Sequence, residues 1–83
     1  MTHFVYMLRC ADGSLYTGSA RNWKERLTLH ENGRAAKYTR SRRPVRLVRL
    51  ETHASRSAAL KAEAVIKRLS KQEKENYVLA GTS

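Results

Sequence analysis

Asp12-Gly13 falls between two runs of apolar and aromatic residues. In that setting an Asp-Gly pair is a strong hairpin signal, because a type I′ turn needs positive φ and glycine supplies it cheaply. The run before it, residues 3–10, is almost continuously apolar. Phe4, Tyr6, Leu8 and Cys10 alternate onto one face, with Val5 and Met7 on the other, which suits a strand covered on both sides. Residues 14–19 return as its antiparallel partner. Tyr6 and Tyr16 are expected to face each other across this hairpin. Gly18 lies at the end of the second strand, where a missing side chain lets another group approach the backbone closely.

Beyond the hairpin the pattern is mixed. Asn22 with Glu25 three residues on is a capping-box-like helix start. Trp23, Leu27 and His30 then repeat on one face, and Asn32-Gly33 reads as the helix stop. Pro44 ends a basic stretch and favours extended backbone before it. Val45, Leu47, Val48 and Leu50 read as a third strand. Ser55 or Ser57 starts a longer helix reaching about Leu69, with Ala59, Ala62, Ile66 and Leu69 as its apolar stripe. Ser70-Lys71-Gln72-Glu73 is a capping box that opens a last short helix carrying Asn76, Tyr77 and Leu79. The tail 81–83 is expected to fray. The resulting order is β-β-α-β-α-α, an α/β fold with a small three-stranded antiparallel sheet flanked by helices. The 83 residues leave room for one domain, spanning 1–83.

The hydrophobic share of 41% supports a globular core. No apolar run is long enough to span a bilayer. Met1-Thr2-His3 has no basic head and Arg9 interrupts the first apolar run, which reads against a secretory signal. The single cysteine, Cys10, has no partner for an internal disulfide or a thiolate metal site, so it reads as a small buried hydrophobe in a reduced, cytoplasmic protein. Seventeen Lys and Arg against seven Asp and Glu give a net charge of +10. That balance points to a polyanionic partner, with nucleic acid ahead of an acidic membrane surface. A ribosome- or RNA-associated accessory role rests on charge and size alone.

Four groups of residues could carry chemistry. Arg26 and His30 are one helical turn apart and share a face. His30 could pack beside Leu27 with Arg26 at the solvated rim, or the pair could act on a phosphate. Glu63 projects to the edge of the apolar stripe between Ala59 and Ile66. It could pair with Lys67 at i+4, or hold a divalent cation such as Mg²⁺ or Mn²⁺ by one carboxylate with most of the water shell kept. Zinc does not fit, since it wants several Cys or His ligands. Tyr6 and Tyr16 could be a packing pair. To act as a base, a phenol with a usual pKa of about 10 would have to be pushed down by nearby positive charge. Arg26, the basic loop and a bound cation could supply it. The fourth group is the basic stretch itself: Arg34, Lys37, Arg40, Arg42 and Arg43, with no acid among them. Such a cluster neutralises phosphates, and Tyr38 within it offers a ring for stacking on an unpaired base. The alternative is a solvated loop.

Taken in order, Phe4-Val5-Tyr6, Tyr16-Thr17-Gly18, Arg26-x-x-x-His30 and Glu63 resemble the GIY-YIG nuclease superfamily. The resemblance covers the whole chain and is to its small, stand-alone branch. Leu8 to Gly18 and Lys37 to Pro44 look typical of that branch. The resemblance implies that Tyr6, Tyr16, Arg26 and His30 are catalytic and that Gly18 lets the phosphate approach. It implies that Glu63 binds the metal, while Asn76 aligns loosely with a later asparagine of some members. Phe4 and Thr17 replace a glycine and an isoleucine of the two triplets. The implied activity is metal-dependent phosphodiester hydrolysis on nucleic acid, DNA ahead of RNA, structured or single-stranded, in repair or recombination. No obligate protein partner is implied. The alternative is a nucleic-acid-binding module of the same fold without useful catalysis.

Overall fold

The computed structural model describes residues 1–80; the tail at 81–83 lies outside the described residues. Strands β1 (His3–Arg9), β2 (Leu15–Ala20) and β3 (Arg46–His53) form an antiparallel sheet in the order β2-β1-β3. Helices α1 (Trp23–Glu31), α3 (Arg56–Lys67) and α4 (Lys71–Ala80) flank it, and a single helical turn, α2 (Lys37–Arg40), precedes β3. The order read from the sequence is the one observed, with α2 added where Pro44 suggests extended backbone. The proline's steric bias reaches only the residue next to it, which leaves room for a turn further upstream.

The central strand builds two cores. Val5 and Met7 pack with Ala59, Ile66 and Val78 from α3 and α4. On the opposite face Tyr6, Leu8 and Cys10 pack with Val45, and with Trp23 and Leu27 of α1. The sheet is therefore sandwiched between α1 and the α3–α4 pair. A bulge in β3 shifts its phase: Met7 pairs with Arg49 but Leu8 with Leu47, leaving Val48 between. This lets Leu47 and Leu50 align with the Leu8 and Tyr6 side of the sheet despite their odd spacing.

The turn chemistry differs from the expected type I′. Only Gly13 has positive φ (85°), and its N–H donates to the Cys10 carbonyl at 3.0 Å. Asp12 keeps negative φ and uses its carboxylate to accept from both the backbone N–H and the hydroxyl of Ser14. The helix ends are closed by the residues whose types suggest it. The Asn22 side chain accepts from the Glu25 N–H, and Gly33 (φ 74°) closes α1 with Arg34 N–H donating to Leu29 O and Gly33 N–H to His30 O. Ser55 caps α3. Ser70 and Glu73 satisfy each other's backbone N–H as a full capping box.

Candidate active site

The site is built at the β2 edge of the sheet. Tyr6 lies opposite Gly18, not Tyr16, which pairs with Leu8. The two tyrosines are thus diagonal neighbours on one face rather than a facing pair. A Cβ at Gly18 would lie 2.5 Å from the Tyr6 hydroxyl oxygen and 2.6 Å from the ring carbon bearing it. The phenol therefore crosses the edge strand through the space that glycine leaves open. On that side of Gly18 the space a side chain would take is filled by Tyr6.

Behind the phenol stands His30, 1% exposed and carried on the inner face of α1. Its Nε2 is 2.9 Å from the Tyr6 hydroxyl, and its Nδ1 is 2.7 Å from the Thr39 hydroxyl on α2. Thr39 is fully buried and its hydroxyl also lies 3.2 Å from the Ala36 carbonyl. The His30 ring is flanked by both tyrosines, with centroids 5.6 Å from Tyr6 and 5.0 Å from Tyr16. Trp23 and Leu27 pack alongside in the same core. Packing and chemistry are not alternatives for this histidine, since it does the first in a geometry that permits the second.

Electrostatics set both groups neutral. Burial pushes the Tyr6 phenol well above its ordinary value, with Tyr16 and Glu63 adding to the effect and Arg26 opposing it. Arg26 does push the phenol down, as its charge suggests, but desolvation outweighs it. Burial, and then Arg26, hold the His30 imidazole below its usual range. Arg26 itself is exposed on α1 and makes no side-chain hydrogen bond or ion pair among the described residues. Its guanidinium is available to an anion.

Glu63 approaches from the other side of the sheet, on α3. Its Oε1 accepts from the hydroxyl of Ser19 on β2 at 2.8 Å, and its Oε2 pairs with Lys67 Nζ at 2.9 Å. Tyr6 and Glu63 therefore meet the edge strand at adjacent residues, Gly18 and Ser19, from opposite faces. Among the described residues no group of three or more His, Cys, Asp or Glu side chains gathers to hold a metal. The donors at Glu63 are a carboxylate and a neighbouring hydroxyl, hard oxygens that suit Mg²⁺ or Mn²⁺ carrying most of its own water. Asn76 does not join the site. It is exposed on α4 and its amide oxygen accepts from Gln72.

The basic segment divides in two. Arg42 is committed to Asp12, to the Tyr38 carbonyl and to the Tyr38 ring face at 3.9 Å. Arg43 donates to the carbonyls of Arg40 and Glu31. Tyr38 also stacks on Tyr16, centroids 5.9 Å apart, so its ring is already in use rather than open for a base. Arg34, Lys37 and Arg40 line an open groove of about 410 Å³ and make no side-chain hydrogen bond or ion pair among the described residues. A second groove, about 390 Å³, was not visible in the sequence. It brings Arg21 and Arg26 together with Arg56 of α3 beside Ser19. Arg21 and Arg56 are 35 residues apart, and only the packing of α3 behind β2 joins them.

The model of the GIY-YIG catalytic domain matches residues 2–76. The chain belongs to the GIY-YIG nuclease superfamily. It is 49% identical over 79 residues to a UPF0213 protein of Staphylococcus epidermidis, covering 95% of this chain and 96% of that one. A UPF0213 protein of Staphylococcus saprophyticus is 47% identical over a span of the same length. Two solution structures share the fold. The UPF0213 protein of Bacillus halodurans has a TM-score of 0.65 at 43% identity, covering 99% of this chain and 88% of that one. A protein of E. faecalis has a TM-score of 0.66 at 41% identity, with coverages of 96% and 85%. These relatives place the chain in a small GIY-YIG branch. No described helix is long and apolar enough to cross a membrane.

Proposed function

We propose that this protein is a metal-dependent endonuclease that hydrolyses phosphodiester bonds in nucleic acid, DNA in preference to RNA. The observation that carries the reading is the Tyr6–His30 hydrogen bond, a neutral phenol aimed at a buried imidazole nitrogen, at the strand edge that Glu63 reaches from the other face. Tyr6 takes a proton from the attacking water as it passes its own to His30 Nε2. Oxygen from that water bonds to phosphorus, the bond to the leaving oxygen breaks, and the leaving oxygen takes a proton from solvent. Arg26, unpaired and exposed, offsets the charge that builds on the phosphate, and one well-placed donor of this kind contributes on the order of 3 kcal/mol. Glu63, freed from Lys67, would hold Mg²⁺ or Mn²⁺. The cation would supply polarisation of a phosphate oxygen.

Two basic grooves support the substrate class. Arg21 and Arg56 flank Arg26, and Arg34, Lys37 and Arg40 line the other. Both suit the phosphates of a strand passing over the site, which makes binding fall steeply with salt. The test is cleavage of labelled single-stranded, flap and branched DNA, and of RNA, with Mg²⁺ or Mn²⁺. We expect the wild type to cut, and Glu63→Gln to bind the same oligonucleotide but not to turn over. No cutting by the wild type, or equal cutting by Glu63→Gln, sinks the proposal. In the first case binding that weakens with salt would favour a binding module of the same fold.

A further inference from the structure

We infer that Thr39 is a positioning residue for this site: its hydroxyl fixes the tautomer of His30 so that the unprotonated ring nitrogen is the one facing Tyr6. The inference rests on the nuclease reading for its consequence, but not for its geometry. Three protons, of Tyr6, His30 and Thr39, have to find acceptors in a largely buried chain. In one arrangement the Tyr6 hydroxyl donates to His30 Nε2, His30 Nδ1–H donates to the Thr39 hydroxyl oxygen, and the Thr39 hydroxyl donates to the Ala36 carbonyl. Every proton then has an acceptor. In the reverse arrangement Thr39 donates to Nδ1 and Nε2–H donates to Tyr6. The phenol proton then has no protein acceptor among the described residues and can be met only by water at the strand edge, a poor match for a side chain 3% exposed.

The turn α2 is what makes the first arrangement available. A helical threonine can back-bond to the carbonyl three residues earlier, which directs its lone pairs outward. Here they meet the imidazole of α1, nine residues away in sequence. The consequence is directional. With Nδ1 carrying the proton, His30 can accept from Tyr6 at Nε2, and the imidazolium so formed is steadied by the same Thr39 oxygen. With the proton on Nε2 that transfer is blocked. Thr39 lies within the basic segment that the sequence suggested would bind nucleic acid, yet it is fully buried and faces the interior.

The experiment pairs Thr39→Val, which keeps the volume and removes the hydroxyl, with Thr39→Ser, which keeps the hydroxyl. Heteronuclear NMR of the His30 ring nitrogens reads the tautomer directly, without turnover. We expect the Nδ1–H tautomer in the wild type and in Thr39→Ser, and loss of that preference in Thr39→Val. In cleavage assays kcat should fall on the order of 10–100-fold in Thr39→Val with KM unchanged, and Thr39→Ser should restore it to within about threefold. An Nε2–H tautomer in the wild type overturns the inference, as does Thr39→Val retaining both tautomer and kcat, or Thr39→Ser losing as much as Thr39→Val. If Thr39→Val does not fold, the wild-type and Thr39→Ser tautomers still decide. If no substrate is cut, the nuclease reading fails by itself while the tautomer measurement stands.

Discussion

The Tyr6 side and the Glu63 side of the site reach one strand edge, but they are held in opposite ways. Tyr6, His30 and Thr39 form an internal, largely buried chain in which each polar atom has a protein partner. Glu63 is met by Ser19 and by a lysine whose side chain is 53% exposed. A buried chain cannot exchange partners without stranding a polar group, at about 1–3 kcal/mol each. In the Glu63–Lys67 pair the carboxylate is mostly buried but the lysine is half exposed, so the lysine can leave for solvent and yield to another cation at little cost to its own packing. The Tyr6 side is preset by folding, while the Glu63 side is left exchangeable.

The sharpest way to break this contrast is to remove one oxygen from the preset side. Tyr6→Phe deletes the proposed base and leaves His30 Nε2 buried without its donor. We expect cleavage to fall about 10²–10⁴-fold, the range for a general base, together with about 1–3 kcal/mol of stability. Glu63→Gln should match it in lost turnover but not in lost stability, because the glutamine oxygen can still accept from Ser19 and Lys67 is half exposed. Single-turnover cleavage beside urea denaturation separates the two. Equal stability losses would mean that the two sides are not built differently.

Much of the preset side could be read from the sequence, and the reasons are local. Gly33, Asn22 and the Ser70–Glu73 box act through neighbouring backbone groups, so α1 and α4 were visible from short motifs. The Trp23, Leu27, His30 spacing put the imidazole inside. What was not legible depends on contacts between distant segments. Tyr6 opposite Gly18 follows from strand register, which the true turn at Asp12-Gly13 sets. Thr39 became visible only once α2 packed on α1. The direction of the Tyr6 shift needed the balance of burial against Arg26, and residue types alone do not give that balance. Arg42 and Arg43 looked like phosphate ligands because composition cannot show that they are already bonded.

Gly18→Ala tests the same side through the backbone. The new methyl would overlap the Tyr6 hydroxyl and ring. Relief requires the ring to leave its place beside His30, so we expect a loss of about 1–3 kcal/mol in denaturant melts and weakened cleavage. An unchanged melt would show that the phenol does not depend on that opening.

Between about pH 5 and 7.5 proton linkage should come from the buried side. The folded pKa of His30 lies below its unfolded value of about 6.5, so the unfolded chain binds more protons as pH drops below that value. Stability from the neutral imidazole is therefore fully present above about pH 6.5 and is lost as pH falls toward the folded pKa, at no more than about 1.4 kcal/mol per unit. Asp12, Glu73 and Glu75, whose pKa values are lowered by their hydrogen bonds, act in a more acid window. Urea melts between about pH 5 and 7.5 should show the slope, and His30→Gln should remove it.

The smallest effect on stability is expected at Lys67, where the exchangeable side can be sharpened. Lys67→Met keeps the aliphatic stem and removes the charge that Glu63 now faces. Because the Lys67 side chain is half exposed and Glu63 keeps its hydrogen bond from Ser19, the melt should move by less than about 1 kcal/mol. A cation arriving at Glu63 would no longer have to displace an ammonium, so the Mn²⁺ concentration for half-maximal cleavage should fall. Binding of Mn²⁺ followed by calorimetry should tighten in the same variant and vanish in Glu63→Gln. If Lys67→Met weakens Mn²⁺ binding, the lysine is holding the carboxylate in place for the ion rather than competing with it, and both sides of the site are preorganised.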